Sequence, residues 1–145
     1  MTSTQKAYLA GFLDGDGSIY VRLKPNPTYR FGFQVAPYIV LFQSAKDLEK
    51  FKVICTMIEP FGHLRQRSDG ICEFIINKKD SIRRFLKLVK PYVRLKADQA
   101  DLILEILNAK EKVENKHDFE SLAKLVDRFR ELNYSKKRKR ITLTP

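Results

Sequence analysis

Between Leu9 and Ser18 the chain reads Leu-Ala-Gly-Phe-Leu-Asp-Gly-Asp-Gly-Ser, and no other stretch limits the possible folds as much. Helical spacing puts Ala7, Ala10, Gly11, Asp14 and Gly15 on one side, a stripe of small residues. Leu9, Phe12 and Leu13 fall on the other side as an apolar stripe. Two glycines in one helix cost about 1 kcal/mol each relative to alanine. Their use is close approach of another backbone at Gly11 and Gly15. The helix is expected over roughly Ser3 to Asp14, capped by Ser3 or Thr4. Directly after it, Ser18 to Lys24 alternates strictly. Ile19, Val21 and Leu23 face a core, while Ser18, Tyr20, Arg22 and Lys24 face outward.

The remaining elements follow the same logic. Pro25-Asn26-Pro27 ends the first strand in a stiff loop. A second strand is expected from Phe31 to Phe42, with Phe33, Val35, Ile39 and Leu41 on one face. Gln34, Ala36, Tyr38 and Val40 take the other, and Pro37 predicts a bulge or an edge. Ser44-Ala45-Lys46-Asp47 resembles a capping box and opens a helix to about Ile58. Gly62 to Arg67 and Ile71 to Asn77 form a hairpin around Ser68-Asp69-Gly70. Helices are expected over Asp80 to Val89, Leu95 to Lys110 and Asp118 to Asn133. The order is αββαββα followed by two helices. That is an α+β fold, an antiparallel sheet covered by helices on one face, in one domain over 1–133 with a basic tail over 134–145.

Composition excludes several classes. At 145 residues and 43% apolar, the chain can bury a core without disulfides and is not disordered throughout. No apolar run is long enough for a membrane span, and the first residues lack the apolar stretch of a secretory signal. Cys55 and Cys72 make no zinc pattern and read as two buried thiols in a reducing compartment. The net charge of +11 points to a polyanionic partner. It is uneven. Lys78 to Lys96 holds eight bases and one acid, whereas Ala97 to Asn133 holds nine acids and six bases. The run Lys136-Lys137-Arg138-Lys139-Arg140 then adds +5.

Three chemistries compete for the Asp14-Gly15-Asp16-Gly17-Ser18 segment. A calcium loop fails, because Ile19 and Pro25 stand where glycine and glutamate are required. A plain turn explains the glycines but not the small-residue stripe. The third is recognition: Leu9 to Ser18 resembles the signature of the LAGLIDADG homing endonucleases, and the element order matches that family's core across most of the chain. One motif implies the single-motif, homodimeric branch.

The resemblance implies a saddle-shaped sheet on DNA and two copies of the first helix packed through Ala10, Gly11, Asp14 and Gly15. Asp16, with the Gly15 backbone carbonyl, would hold Mg²⁺. Mn²⁺ would substitute, and Ca²⁺ would bind without supporting cleavage. Gln43 matches a residue that orders water, and Lys96 a basic residue that reaches the active centre. Asp47 departs from the family, where a base can stand, so Lys46 or Lys50 is left to complete the pocket.

DNA contacts are expected from the outward sheet face: Tyr20, Arg22, Lys24, Gln34, Ala36, Tyr38, Val40, Arg65, Arg67, Glu73 and Ile75. Arg22, Lys24 and Gln34 suit purine edges, and Tyr38 and Val40 suit thymine methyls. Asn26, Thr28, Tyr29 and Arg30 lie on the loop toward the outer flank. A nine-residue strand spans about 30 Å, roughly nine or ten base pairs, so two protomers cover about twenty pairs of an imperfect palindrome. The tail bases suit phosphates. The expected activity is a Mg²⁺-dependent double-strand DNA cut leaving short 3′ overhangs, inside a bacterial or archaeal cell or an organelle. An intron RNA maturase and a non-catalytic DNA-binding module are the alternatives, and no membrane partner is expected.

Overall fold

The structure, a computed structural model, describes the backbone of residues 1–141 and the side chains of residues 1–133. Helix α1 runs Ser3–Asp16. Its cap is Thr2 rather than Ser3 or Thr4: the Gln5 N–H donates to Thr2 Oγ1 at 3.1 Å and the Thr2 N–H donates to Gln5 Oε1 at 2.9 Å. This reciprocal pair satisfies two of the free donors at the helix start. The helix also runs two residues further than expected and stops at Gly17, where strand β1 (Gly17–Pro25) begins. A Cβ on Gly17 would lie 2.7 Å from the Leu13 carbonyl oxygen, so this abrupt helix-to-strand junction needs a glycine.

Strand β2 is Phe33–Ser44, followed by a 3₁₀ turn at Ala45–Asp47 capped by the Ser44 hydroxyl, then α2 (Leu48–Thr56). Strands β3 (His63–Gln66) and β4 (Ile71–Ile76) form the expected hairpin, turned at Gly70 with φ +85°. Helices α3 (Lys79–Val89), α4 (Ala97–Glu111) and α5 (Lys116–Ile141) complete the chain. Helix α5 continues past Asn133, where its end was expected. The side chains of the basic run 136–140 lie outside the described residues, as does the backbone of residues 142–145.

Among the described residues the strands make one antiparallel sheet in the order β1-β2-β4-β3. Pro37 makes no bulge, but it does stand at an edge, as expected. It pairs in continuous register with Val21 inside β2. β4 pairs only with Ile39–Ser44, so at Pro37 the second flank of β2 has no strand to lose a hydrogen bond to. Ile19, Val21, Val35, Ile39, Leu41, Phe74 and Ile76 point to the helical side and are buried. Leu9 and Leu13 of α1, Phe85 and Leu86 of α3, Ile103 of α4 and Phe129 of α5 close over them. Phe33 shares this face, as expected, and is more exposed because it lies at the far end of β2, beside Phe119 of α5. Cys55 and Cys72 are free and buried, and burial pushes the Cys55 thiol up to about 11, which keeps it protonated and unreactive.

Candidate active centre and nucleic-acid interface

Helix α1 delivers Asp16 to the surface at its last residue. The side chain is exposed, and among the described residues no hydrogen bond or ion pair engages its carboxylate. An anion at a helix C-terminus stands in an unfavourable dipole field, so a nearby cation is favoured there. The chain supplies one. Lys96, buried to 7% exposure at the start of α4, donates its Nζ to the Asp14 carbonyl oxygen at 2.7 Å. The ammonium thus sits on the last turn of α1, two residues from Asp16.

Asp14 holds that arrangement. Its carboxylate accepts the Arg94 N–H at 2.8 Å and the Lys96 N–H at 3.1 Å. The sequence placed Asp14 on the interface stripe, but the structure commits its carboxylate within the chain. Ala10 is corrected more sharply. It is fully buried in the chain's own core and has no surface left for a second copy. The exposed part of the stripe is Ala7, Gly11 and Gly15. A Cβ built on Gly11 or Gly15 meets nothing within 4 Å, so nothing inside the chain requires glycine at either position.

Gln43 lies two residues past the Gly17–Leu41 pair and therefore flanks the end of α1. Its Oε1 accepts the Ser44 N–H at 2.9 Å. It lines a shallow cleft between α1 and α2 with Tyr8, Phe12, Asp47 and Lys50. Of the two lysines left open above, Lys50 lines this cleft; Lys46 does not.

The strand register assembles the outward face. Arg22 pairs with Ala36, Lys24 with Gln34, Tyr20 with Tyr38, and Val40 with Ile75; Glu73 stands between Phe42 and Arg65. These side chains share the face opposite the helices, as alternation requires. Arg67 extends that face past β3, its N–H donating to the Ile71 carbonyl at 2.8 Å, and its guanidinium pairs with Asp69. Three expected contacts are covered in the free chain: Val40 is 1% exposed, Ala36 7% and Glu73 8%. Val40 is flanked on its own strand by the larger Tyr38 and Phe42, so the thymine-methyl role expected of it is closed on this surface. Among the described residues Glu73 Oε1 is buried without a hydrogen-bond partner, and Arg65 Nη1 lies 3.8 Å away, near enough for attraction but not for a hydrogen bond.

The sequence did not reveal how these side chains brace one another. The Tyr20 and Tyr38 rings stack at 5.0 Å, with the Arg22 guanidinium 5.6 Å from each ring centre. Lys24 Nζ donates to the Tyr38 hydroxyl at 2.7 Å. Burial pushes the Tyr20 phenol up, with Arg22 pulling it back. Arg22 and Lys24 are therefore braced on the two tyrosine rings. The signal was present in principle, since two outward tyrosines on paired strands meet once the register is known.

The donor set at the end of α1 suits a hard cation. Mg²⁺ takes one or two carboxylates together with phosphate oxygens and water, and Asp16 offers an exposed carboxylate of that kind. Among the described residues no three His, Cys, Asp or Glu side chains cluster as a metal site, and no helix is long and apolar enough to cross a membrane.

Known proteins resemble this chain in sequence and fold. A sequence model of the LAGLIDADG endonuclease family matches residues 9–104. The chain is 32% identical over 135 residues to DNA endonuclease I-CreI of Chlamydomonas reinhardtii, covering 91% of this chain and 80% of that protein. It is 31% identical over 138 residues to DNA endonuclease I-CvuI of Chlorella vulgaris, covering 91% and 81%. The crystal structure of the homing endonuclease I-CvuI with the I-CreI target in Mg²⁺ superposes with a TM-score of 0.83 at 29% identity, over 89% of this chain and 82% of that one. This chain belongs to the LAGLIDADG endonuclease family, and is an endonuclease by class.

Proposed function

We propose that this protein is a site-specific DNA endonuclease that acts as a homodimer with Mg²⁺ on a pseudo-palindrome of about twenty base pairs, leaving short 3′ overhangs. The observation that carries the proposal is the pairing of two features in one chain. One is an uncommitted acid at the end of a helix whose exposed face is Ala7, Gly11 and Gly15; the other is an adjoining sheet face braced around Arg22, Lys24, Tyr20 and Tyr38. The DNA of the I-CvuI complex supports a duplex as the ligand.

Asp16 and the Gly15 carbonyl would hold the metal, which when bound polarises the phosphate, lowers the pKa of a water and stabilises the leaving oxygen. Lys96, fixed on the Asp14 carbonyl, adds positive charge beside the reacting phosphate. Gln43 orients water at the same end of the sheet, and Lys50 supplies the basic group of its cleft. Mn²⁺ replaces Mg²⁺, and Ca²⁺ supports binding alone. The outward strands read bases in the major groove, and the basic tail contacts phosphates.

The test is selection of cleaved sites from genomic and randomised duplex libraries in Mg²⁺. A recurring site of about twenty pairs with approximate two-fold symmetry is expected. Binding without cutting in both Mg²⁺ and Mn²⁺ would leave only a DNA-binding module.

The dimer has its own test in Gly15→Leu. A Cβ at this position meets nothing within 4 Å in the single chain, so each chain should still fold with unchanged helix content, while the melting temperature falls as the stabilisation from the dimer is lost. The added side chain should hold two copies of α1 apart. Sedimentation should show wild type as a dimer at micromolar concentration and the variant as a monomer. A variant that dimerises normally would move the interface elsewhere.

A further inference from the structure

The loop joining β1 to β2 is built as a rigid unit. The Asn26 N–H donates to the Gly32 carbonyl at 2.8 Å, and the Gly32 N–H donates to the Tyr29 carbonyl at 2.9 Å. The Thr28 N–H and hydroxyl both donate to Asn26 Oδ1, at 3.0 and 2.6 Å. Gly32 sits at φ +81°, a conformation that side chains resist. These bonds fix the loop's shape. They do not fix where the loop points, because a ribbon with no third strand beside it twists more readily than a wider sheet. Over Phe33–Tyr38, β2 has only β1 beside it.

Helices α4 and α5 pack behind this ribbon, and two contacts from them hold its loop end. Phe119, in the first turn of α5, stacks on Phe31 at 5.2 Å and 24° and lies 6.3 Å from the Phe33 ring at 18°. Lys110, at the end of α4, donates its Nζ to the Val35 carbonyl at 2.9 Å, on the strand leading from the loop. Phe119 is itself held: its N–H donates to the Asn115 carbonyl at 3.1 Å, and the Asp118 N–H to Asn115 Oδ1 at 2.8 Å. Arg30 in turn lies 5.0 Å over the Phe31 ring, so the ring that Phe119 grips also carries a cation of the outer flank.

We infer that Phe119 is a positioning residue for DNA specificity: through Phe31 and Phe33 it aims Thr28, Tyr29 and Arg30 at the outer base pairs of each half-site without touching DNA. This rests on the endonuclease function proposed above. A helix behind the sheet thereby sets selectivity at the end of the site farthest from the cut. The outer pairs should depend on it and the central pairs should not, because Arg65 and Arg67 belong to the other hairpin.

The experiment has two arms, run on the full chain as wild type, Phe119→Ala, Phe119→Leu and Phe119→Tyr. The first needs no DNA. Trypsin cleavage after Arg30 is followed by mass mapping, with cleavage after Lys50 as the internal reference. Loss of the ring stack should speed cleavage after Arg30 up to about tenfold in the Ala and Leu variants, and Tyr should restore the wild-type rate. Acceleration at every site in Phe119→Ala reports general unfolding, and Phe119→Leu, which keeps apolar bulk, then decides. Unchanged cleavage after Arg30 in Phe119→Leu overturns the anchor.

The second arm measures cleavage of the selected target and of its single-base variants. The expected result is up to about tenfold weaker discrimination at the outermost pairs, with discrimination at central pairs and kcat at saturating DNA retained. A loop that is released with outer discrimination intact overturns the role in specificity. A wild-type enzyme that cuts no DNA counts against the endonuclease function instead, and the trypsin arm still reports whether Phe119 holds the loop.

Discussion

Asp16→Asn should lower DNA cleavage about a thousandfold or more while leaving target binding in Ca²⁺ within about threefold of wild type. The substitution preserves size and shape and removes the one charge that would hold the proposed divalent cation at the end of α1. Asp16 is exposed, and among the described residues no bond engages it, so its loss disturbs no packing, and relief of the unfavourable helix dipole should leave the melting temperature unchanged or slightly raised. The sheet face that would read DNA is built from other residues. Removing a negative charge near phosphates can tighten binding slightly. The measurement pairs a gel-shift titration in Ca²⁺ with cleavage of the same duplex in Mg²⁺. Equal losses in both assays would remove Asp16 from catalysis and make it a binding residue.

Asp14→Asn should behave in the opposite way. Its carboxylate accepts the backbone N–H groups of Arg94 and Lys96, and its own carbonyl receives the Lys96 ammonium. An amide keeps one acceptor oxygen and turns a donor toward the second N–H. Hydrogen bonds to a charged acceptor contribute about 1.5–3 kcal/mol, so a loss of about 2–3 kcal/mol is expected. For a chain of this length that lowers the melting temperature by roughly 5–10 °C. Lys96 loses its seat, and cleavage falls as a consequence of displaced charge. Thermal melts of Asp14→Asn and Asp16→Asn side by side separate the two acids. An unchanged melting temperature for Asp14→Asn, with cleavage lost and Mg²⁺ dependence altered, would exchange their roles.

These two aspartates also mark how far the amino-acid order could be followed. Both fell within one motif, and both were read as important. Asp16 was given a function that requires an exposed carboxylate, and the structure exposes it. Asp14 was assigned by helical spacing to an outer stripe. Its partners lie at Arg94 and Lys96, and no local pattern announces a contact across that much chain. Ala10 failed for a related reason. A small residue beside a glycine is compatible with either side of a helix, and the neighbours that cover it are supplied by other elements. The cap at Thr2 was missed because Thr2, Ser3 and Thr4 are all competent N-caps, and the Gln5 side chain selects among them only once the first turn is formed.

Alternation served better. A strand repeats every two residues, so one buried position fixes the face of all the others. Ile19 and Val21 inward and Tyr20 and Arg22 outward followed directly, as did the sharing of one face by the residues expected on the saddle. What alternation cannot supply is height above the surface. Val40 and Glu73 lie on the outward face yet are covered there by their neighbours.

By itself, then, the amino-acid order determined the succession of elements, the family, and which face of each strand is free, because those depend on short-range periodicity and on one compact motif. Tertiary structure alone decided which small residues of α1 remain outside, which acid is tied down, and what holds the outer loop. Lys96 reaches Asp14, and Phe119 reaches Phe31, from the far end of the chain. Such contacts arise only when packing brings distant segments together, and the free energy that selects them belongs to the assembled core rather than to any local stretch of sequence.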